Sequence, residues 1–284
     1  MIKLIRRFTG NLTKGEIEFY AANGYLVFPN FIPKSDVDGL KERAFQLIDN
    51  WQPSSNHPIF TTHDQKRVAD NYFMDSAYGI GFFLEENAKD PANNKRNSIN
   101  KLGHAMHDLD PVFQRFSYNV RFRRILNGLG YNAPVIAQSM YIMKPPGIGA
   151  EVKIHQDNSY LITSPLSCVG LWVAIEDAKK SNACLYAVPG SHKYGCKTYW
   201  ERKDGKMLYT NDYEYSKEGG VCLEVEAGTV VVLHGSLVHW SDDNLSNVSR
   251  HAYTLHCVET VNTTWSPKNW IQRPKEFPFN SWTL

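Results

Sequence analysis

Six short apolar segments, rich in β-branched residues, follow one another through the second half of the chain with no helical pattern between them. They are 134–143, 168–175, 183–188, 221–225, 229–234 and 251–258, separated by clusters of Gly, Pro, Asn and Asp. Each reads as a strand bounded by turn residues. Strands joined without intervening helices pair antiparallel and close into a sandwich or barrel, which excludes a doubly wound parallel sheet. Such a barrel has a mouth in which a metal ion and a small ligand can be enclosed.

The first half is of another kind. Thr13-Lys14-Gly15-Glu16 has the form of a capping box and opens a short helix to Tyr20–Asn23. Gly24 ends that helix, and Tyr25-Leu26-Val27-Phe28 reads as a strand. Ser35 is expected to cap a second helix in which Val37, Leu40, Ala44, Leu47 and Ile48 recur at helical spacing. Residues 52–97 are polar and Pro/Asn-rich and read as a long loop. A third helix is predicted over Asp110–Leu129, with Gly130 as its stop. One domain over residues 1–284 is expected, with helices and loops to about residue 130, a β core over about 131–262 and a C-terminal tail. Residues 195–220, rich in Lys, Glu, Asp and Tyr, read as an insertion that either closes over a polar substrate or is an ordinary solvated loop.

Composition narrows the function. Of 284 residues 42% are hydrophobic and 13% aromatic, enough for a large core and against disorder. The net charge of +2 comes without a basic stripe interleaved with aromatics, so nucleic acid is not an expected partner. No apolar run approaches the roughly 18–20 residues of a membrane span. The five cysteines are scattered, odd in number and without C-x-x-C spacing, which favours reduced thiols and argues against structural zinc. The N-terminus lacks a secretory apolar stretch, and the final residues Ser281-Trp282-Thr283-Leu284 differ from a peroxisomal address. The cytoplasm is the expected compartment. A mitochondrial location is the minor alternative, since no acidic residue precedes Glu16.

The chemistry-bearing residues are His155-Gln156-Asp157, a later histidine and Arg250. Two imidazoles and one carboxylate can take three corners of an octahedron around Fe(II), leaving three positions for a bidentate oxo-acid and dioxygen. An arginine supplies the planar fork for a second carboxylate. On an extended segment His155 and Asp157 project to one face. Alone, H-x-D is a weak signal that also occurs in surface turns. His234 and His239 compete for the third corner; five residues apart on a strand they would face opposite ways, so at most one reaches the metal. His192 is expected to steady a loop, and His251 and His256 to pack within the last strand. His104 and His107 stand at helical spacing without a carboxylate to complete a site.

His155-Gln156-Asp157, Pro189-Gly190-Ser191-His192, His239 with Ser241, Asn244-Leu245-Ser246 and Arg250 together resemble the phytanoyl-CoA dioxygenase family of Fe(II)/2-oxoglutarate oxygenases. The resemblance extends through residues 98–113, 138–144, 171–177 and 263–270, and so over nearly the whole chain. It implies a mainly β fold with α, a double-stranded β-helix (jelly-roll, cupin-like) core carrying packed helices mostly from the N-terminal half. It implies His155, Asp157 and His239 as iron ligands and Arg250 on the distal carboxylate of 2-oxoglutarate. Lys101, Met140, Trp172 and Ser241 would line the cosubstrate pocket.

The activity that the resemblance implies is that of a dioxygenase. It would use Fe(II), 2-oxoglutarate and O₂ to hydroxylate a C–H bond of a small organic substrate, releasing succinate and CO₂. The carboxylate of Asp157 favours hydroxylation over halogenation, for which a smaller residue would leave room on the metal. A 2-oxoglutarate sensor with uncoupled or absent turnover, a cupin with a structural metal, and a zinc hydrolase are the alternatives. Oligomeric state stands between monomer and weak dimer.

Overall fold

The computed structural model describes residues 6–52, 59–60, 71–204 and 206–282. Residues 53–58 and 61–70 of the expected loop, Gly205 of the expected insertion, and both chain ends lie outside the described residues.

Helix α1 (Lys14–Asn23) has its capping box: Glu16 N donates to Thr13 Oγ1 and Thr13 N to Glu16 Oε2. Gly24 closes it at φ +83°, a left-handed position that costs glycine nothing, and sends the chain into β1 (Tyr25–Phe28). Helix α2 (Lys34–Asn50) starts one residue before the expected cap. Pro33 holds the cap position, and Ser35 lies inside the first turn.

The loop expected over 52–97 holds regular structure. It contains β2 (Ile59–Phe60), α3 (Asn71–Asp75) and β3 (Ile80–Glu85), and β4 (Ile99–His104) follows directly. Buried Phe83 and Leu84 adjoin one another in β3, and all six residues of β4 are buried. Strands covered on both faces lose the alternation that marks a strand in sequence. The single helix expected over Asp110–Leu129 is instead α5 (Pro111–Ser117) and α6 (Val120–Gly128), preceded by the one-turn α4 (Met106–Leu109). The breaks fall where Asp110 and Asn119 turn side-chain oxygens onto the amides of Val112 and Phe113, and of Arg121.

From here the chain is a run of strands: β5 (Pro134–Ile142), β6 (Val152–His155), β7 (Thr163–Ser164), β8 (Val169–Ala174), β9 (Leu185–Ala187), β10 (Trp200–Lys203), β11 (Lys206–Tyr209), β12 (Val221–Leu223), β13 (Val230–His234), β14 (His239–Ser241), β15 (Ala252–Glu259) and β16 (Thr264–Trp265). Eight strands form a major sheet in the order β1-β13-β8-β15-β5-β4-β3-β2, and four form a minor sheet, β12-β9-β14-β6. All pairs but β2–β3 are antiparallel.

The core has two main layers. Val230 and Val232 of β13, Leu171 and Val173 of β8, and Tyr253 and Leu255 of β15 pack with α2, α5 and α6 on one face of the major sheet. Their strand neighbours Val231, Leu233, Trp172, Ala174 and Ala252 point the other way, against Leu185, Ala187 and Leu223 of the minor sheet. Helices therefore cover one face of the major sheet and the minor sheet covers the other, the arrangement of a double-stranded β-helix. Fully burying a Val or Leu side chain contributes about 1.5–3 kcal/mol, so these doubly covered strands carry much of the stability.

The 195–220 segment is more than a solvated insertion. β10 and β11 form a hairpin, and Gln156 ties the segment down. Gln156 Nε2 donates to Gly195 O, and its Oε1 accepts from Lys197 N and Tyr215 Oη. At the C-terminus, Arg273 Nη1 lies 2.6 Å from Asp108 Oδ2, both side chains almost fully buried, and pins the tail to α4.

Candidate metal centre and cosubstrate pocket

His155 ends β6, and His239 opens β14 directly opposite it in the register of the minor sheet. Asp157 begins a 3-10 turn just past β6. Two residues on, the carboxylate swings back towards the imidazoles. Asp157 Oδ1 is 3.5 Å from His155 Nε2 and 3.6 Å from His239 Nε2. The ligand atoms of the three lie within 4.8 Å of one another, the one such group among the described residues. Donors about 2 Å from a shared cation fall about 3 Å apart at right angles and about 4 Å apart across it, and these spacings sit between.

The imidazoles are oriented for such a cation. His155 Nδ1 is 2.7 Å from Lys153 O and His239 Nδ1 is 2.9 Å from Leu237 O. A carbonyl accepts only from a protonated nitrogen, so each Nδ1 carries a proton, and in the neutral ring Nε2 turns its lone pair towards Asp157. Burial and the nearby His155 push the His239 pKa down to about 4 and keep the ring neutral, as a ligand must be. The Asp157 Oδ2 is buried without a hydrogen-bond partner. Gly170 of β8 makes the space for it, since a Cβ there would lie 3.2 Å from Oδ2.

Arg250 is 1% exposed and has no carboxylate within ion-pair distance among the described residues. Nε donates to Ala183 O at 3.1 Å, Nη2 reaches Ser241 Oγ at 3.4 Å, and Nη1 is buried without a partner. The ring of Trp172 lies 5.5 Å from its guanidinium carbon. Burial lowers its pKa to about 10, so it remains a cation at neutral pH. A buried cation with one donor unused is a site for an anion.

His155, Asp157, His239, Arg250, Lys101, Met140, Trp172 and Ser241 all line a single cavity of about 870 Å³ between the sheets. Lys101 and Met140 come from β4 and β5, with Lys101 Nζ 3.9 Å from Met140 Sδ. The outer wall is aromatic: Tyr160, Trp200, Tyr209 and Tyr215 reach it, and the Tyr160 and Tyr209 hydroxyls are 2.8 Å apart.

The remaining histidines separate cleanly. His234 lies on the helix-facing side of β13, where its Nδ1 accepts from Ser236 N, and it does not line the cavity. His192 Nε2 is 3.1 Å from Ala21 O, fastening its loop to α1. His104 and His107 are not on one helix; His104 ends β4 against Ser76 Oγ, and His107 is buried in α4 beside Ser139. His251 is buried beside the Tyr141 hydroxyl. His256 departs from the expected packing role. It lines the cavity, with Nε2 3.4 Å from Asp157 Oδ1. The signal available in sequence is its even spacing from Thr254, which puts both on one face of β15. Gln138, opposite it on β5, was also outside the expected site.

Comparison with known proteins agrees with this geometry. Residues 20–252 match the family model described as phytanoyl-CoA dioxygenase. The chain is 44% identical over 275 residues to a phytanoyl-CoA dioxygenase of Arabidopsis thaliana, covering 94% of this chain and 96% of the relative. It is 38% identical over 285 residues to the phytanoyl-CoA dioxygenase domain-containing protein 1 of Danio rerio, covering 95% and 98%. Among solved structures, EctD of S. alaskensis with 2-oxoglutarate and 5-hydroxyectoine superposes with a TM-score of 0.63 at 17% identity, over 91% of this chain and 80% of that one. At that identity the likeness is one of fold. No helix among the described residues is long and apolar enough to cross a membrane.

Proposed function

The chain belongs to the phytanoyl-CoA dioxygenase family, and from that membership and the cavity's geometry we propose that it is an Fe(II)- and 2-oxoglutarate-dependent dioxygenase. It would hydroxylate a C–H bond of a small organic substrate with release of succinate and CO₂. The observation that carries the proposal is the pairing of two unlike features in one cavity. One is three converging donor atoms with both Nε2 lone pairs free, and the other is a buried guanidinium with an unused Nη1. Neither is useful for folding alone.

His155, Asp157 and His239 would hold the metal, and Fe(II) bound there supplies open coordination positions at which 2-oxoglutarate and O₂ meet. The chain's own residues do the rest. Arg250 Nη1 takes the distal carboxylate of 2-oxoglutarate, while Ser241 and Trp172 fix the plane of the guanidinium. Met140 and Trp172 keep water from the cosubstrate, and Lys101 adds positive charge at the same wall. The relatives' names support an oxygenase, and the aromatic outer wall suits the carbon skeleton of an organic substrate.

The test is succinate production from 2-oxoglutarate by iron-loaded protein, in air and without oxygen. Formation that requires both Fe(II) and O₂ and matches substrate consumed is the expected result. Succinate without matched product would leave a sensor, and no succinate from iron-loaded protein in air would contradict the oxygenase reading.

A further inference from the structure

Three histidines, not two, turn Nε2 towards Asp157. His256 Nε2 lies 3.4 Å from Oδ1, closer than His155 at 3.5 Å or His239 at 3.6 Å. What distinguishes His256 is the group behind the ring. In His155 and His239 the Nδ1 faces a backbone carbonyl, an acceptor, which fixes the proton on Nδ1 and leaves Nε2 bare. In His256 the Nδ1 lies 3.2 Å from the Gln138 amide nitrogen, a donor. A nitrogen that accepts from an amide carries no proton, so the proton of a neutral ring sits on Nε2, facing the carboxylate.

The Gln138 amide turns its nitrogen to His256 and leaves its Oε1 buried without a hydrogen-bond partner. Gln138 and His256 are cross-strand partners on β5 and β15, and Gly170 stands opposite His256 on β8. The missing side chain of Gly170 is what lets Asp157 come within reach. All three strands belong to the major sheet, whereas Asp157 follows a strand of the minor one.

We infer that His256 is a positioning residue rather than a fourth ligand: with Gln138 fixing its tautomer, its Nε2–H anchors the Asp157 carboxylate from the opposite sheet and sets the oxygen that Asp157 turns to the metal. The inference rests on the proposed metal site and extends it to two residues of the major sheet. Partners of ligating groups of this kind change metal affinity by about 10–100-fold when removed.

Cobalt(II) is the probe, because it binds such sites without oxygen chemistry and its visible d–d bands report coordination. Apo protein is titrated with Co(II) in the wild type and in His256→Leu, His256→Gln and Gln138→Leu, with far-ultraviolet circular dichroism to establish that each is folded. His256→Leu should weaken Co(II) binding by about 10–100-fold. His256→Gln, which restores an N–H donor near the Nε2 position, should return to within a few fold of wild type with the same band shape. Gln138→Leu should weaken binding by less than His256→Leu. A packing role would be served as well by leucine, so unchanged affinity in His256→Leu or Gln138→Leu overturns the inference. A His256→Gln variant with altered d–d bands and the full loss of affinity makes His256 a ligand and overturns it too. Failure of the wild type to bind Co(II) is seen before any substitution and overturns the metal site itself. If His256→Leu does not fold, the other two variants decide.

Discussion

Arg250 is a guanidinium 1% exposed, held through Nε and Nη2, with Nη1 unused. Arg250→Ala should weaken 2-oxoglutarate binding by about 2–5 kcal/mol, the range for removing one partner of a buried charge pair. That is roughly 1.5–3.5 decades in Kd, read by calorimetry on the metal-loaded protein, and an unchanged Kd removes Arg250 from the pocket. Asp157→Ala should lose retained iron as well as turnover, since the only carboxylate of the cluster is gone; full iron occupancy by elemental analysis would contradict its place as a ligand. H-x-D alone is a weak signal in sequence; these residues stood out because it occurs with a distant histidine and an arginine in the joint pattern that carries the family resemblance. The choice between His234 and His239 needed the family resemblance; in the structure His239 lines the cavity from the minor sheet, whereas His234 lies on the major sheet and does not line it. His256 was not legible. In a strand buried on both faces a histidine reads as core, and only the register with Gln138 and Gly170 brings it to Asp157.

At the scale of elements, the six strands expected in the second half lie within two residues of β5, β8, β9, β12, β13 and β15 at both ends, because turn residues bound them, whereas the short β6, β7, β10, β11, β14 and β16 were not read as strands. β9 begins two residues late, after Ala183 takes a left-handed φ of +67°. The first half was less legible for two reasons. β3 and β4 carry Phe82-Phe83-Leu84 and a fully buried run rather than alternation, and the helical pattern over 110–129 hides two internal caps. The caps can be tested. Asn119→Ala should cost about 1 kcal/mol in denaturant unfolding, as the loss of a side-chain cap does, and no change would mean that α6 does not depend on Asn119. Leu171, fully buried between β8 and the helices, should cost about 2–5 kcal/mol on conversion to Ala. A loss below about 1 kcal/mol would be inconsistent with helices seated on that face.

For the molecule as a whole, buried neutral histidines tie stability to pH. Burial depresses the pKa of His251 to about 4, against Glu176, which acts the other way, and burial likewise takes His234 to about 4. The unfolded chain binds their protons below about pH 6.5, whereas the folded protein does so only near pH 4. Stability is therefore complete above about pH 6.5 and is lost as pH falls towards 4. For His251 the full effect is about 3 kcal/mol, an upper figure for so buried a group. Apo protein should unfold at progressively lower temperature from pH 7 to pH 4.5, and a flat profile would show that these rings are not held neutral. Beyond stability, two sheets converge on one cavity: the minor sheet brings His155, Asp157 and His239, and the major sheet brings Trp172, Lys101 and Met140, with Arg250 just ahead of β15. Anaerobic titration of the Fe(II)-loaded protein with 2-oxoglutarate tests that convergence most directly, by the visible metal-to-ligand charge-transfer band. The expected result is a saturable band, absent in His239→Ala and shifted to far higher 2-oxoglutarate concentration in Arg250→Ala. No band in the iron-replete wild type would contradict the oxygenase assignment.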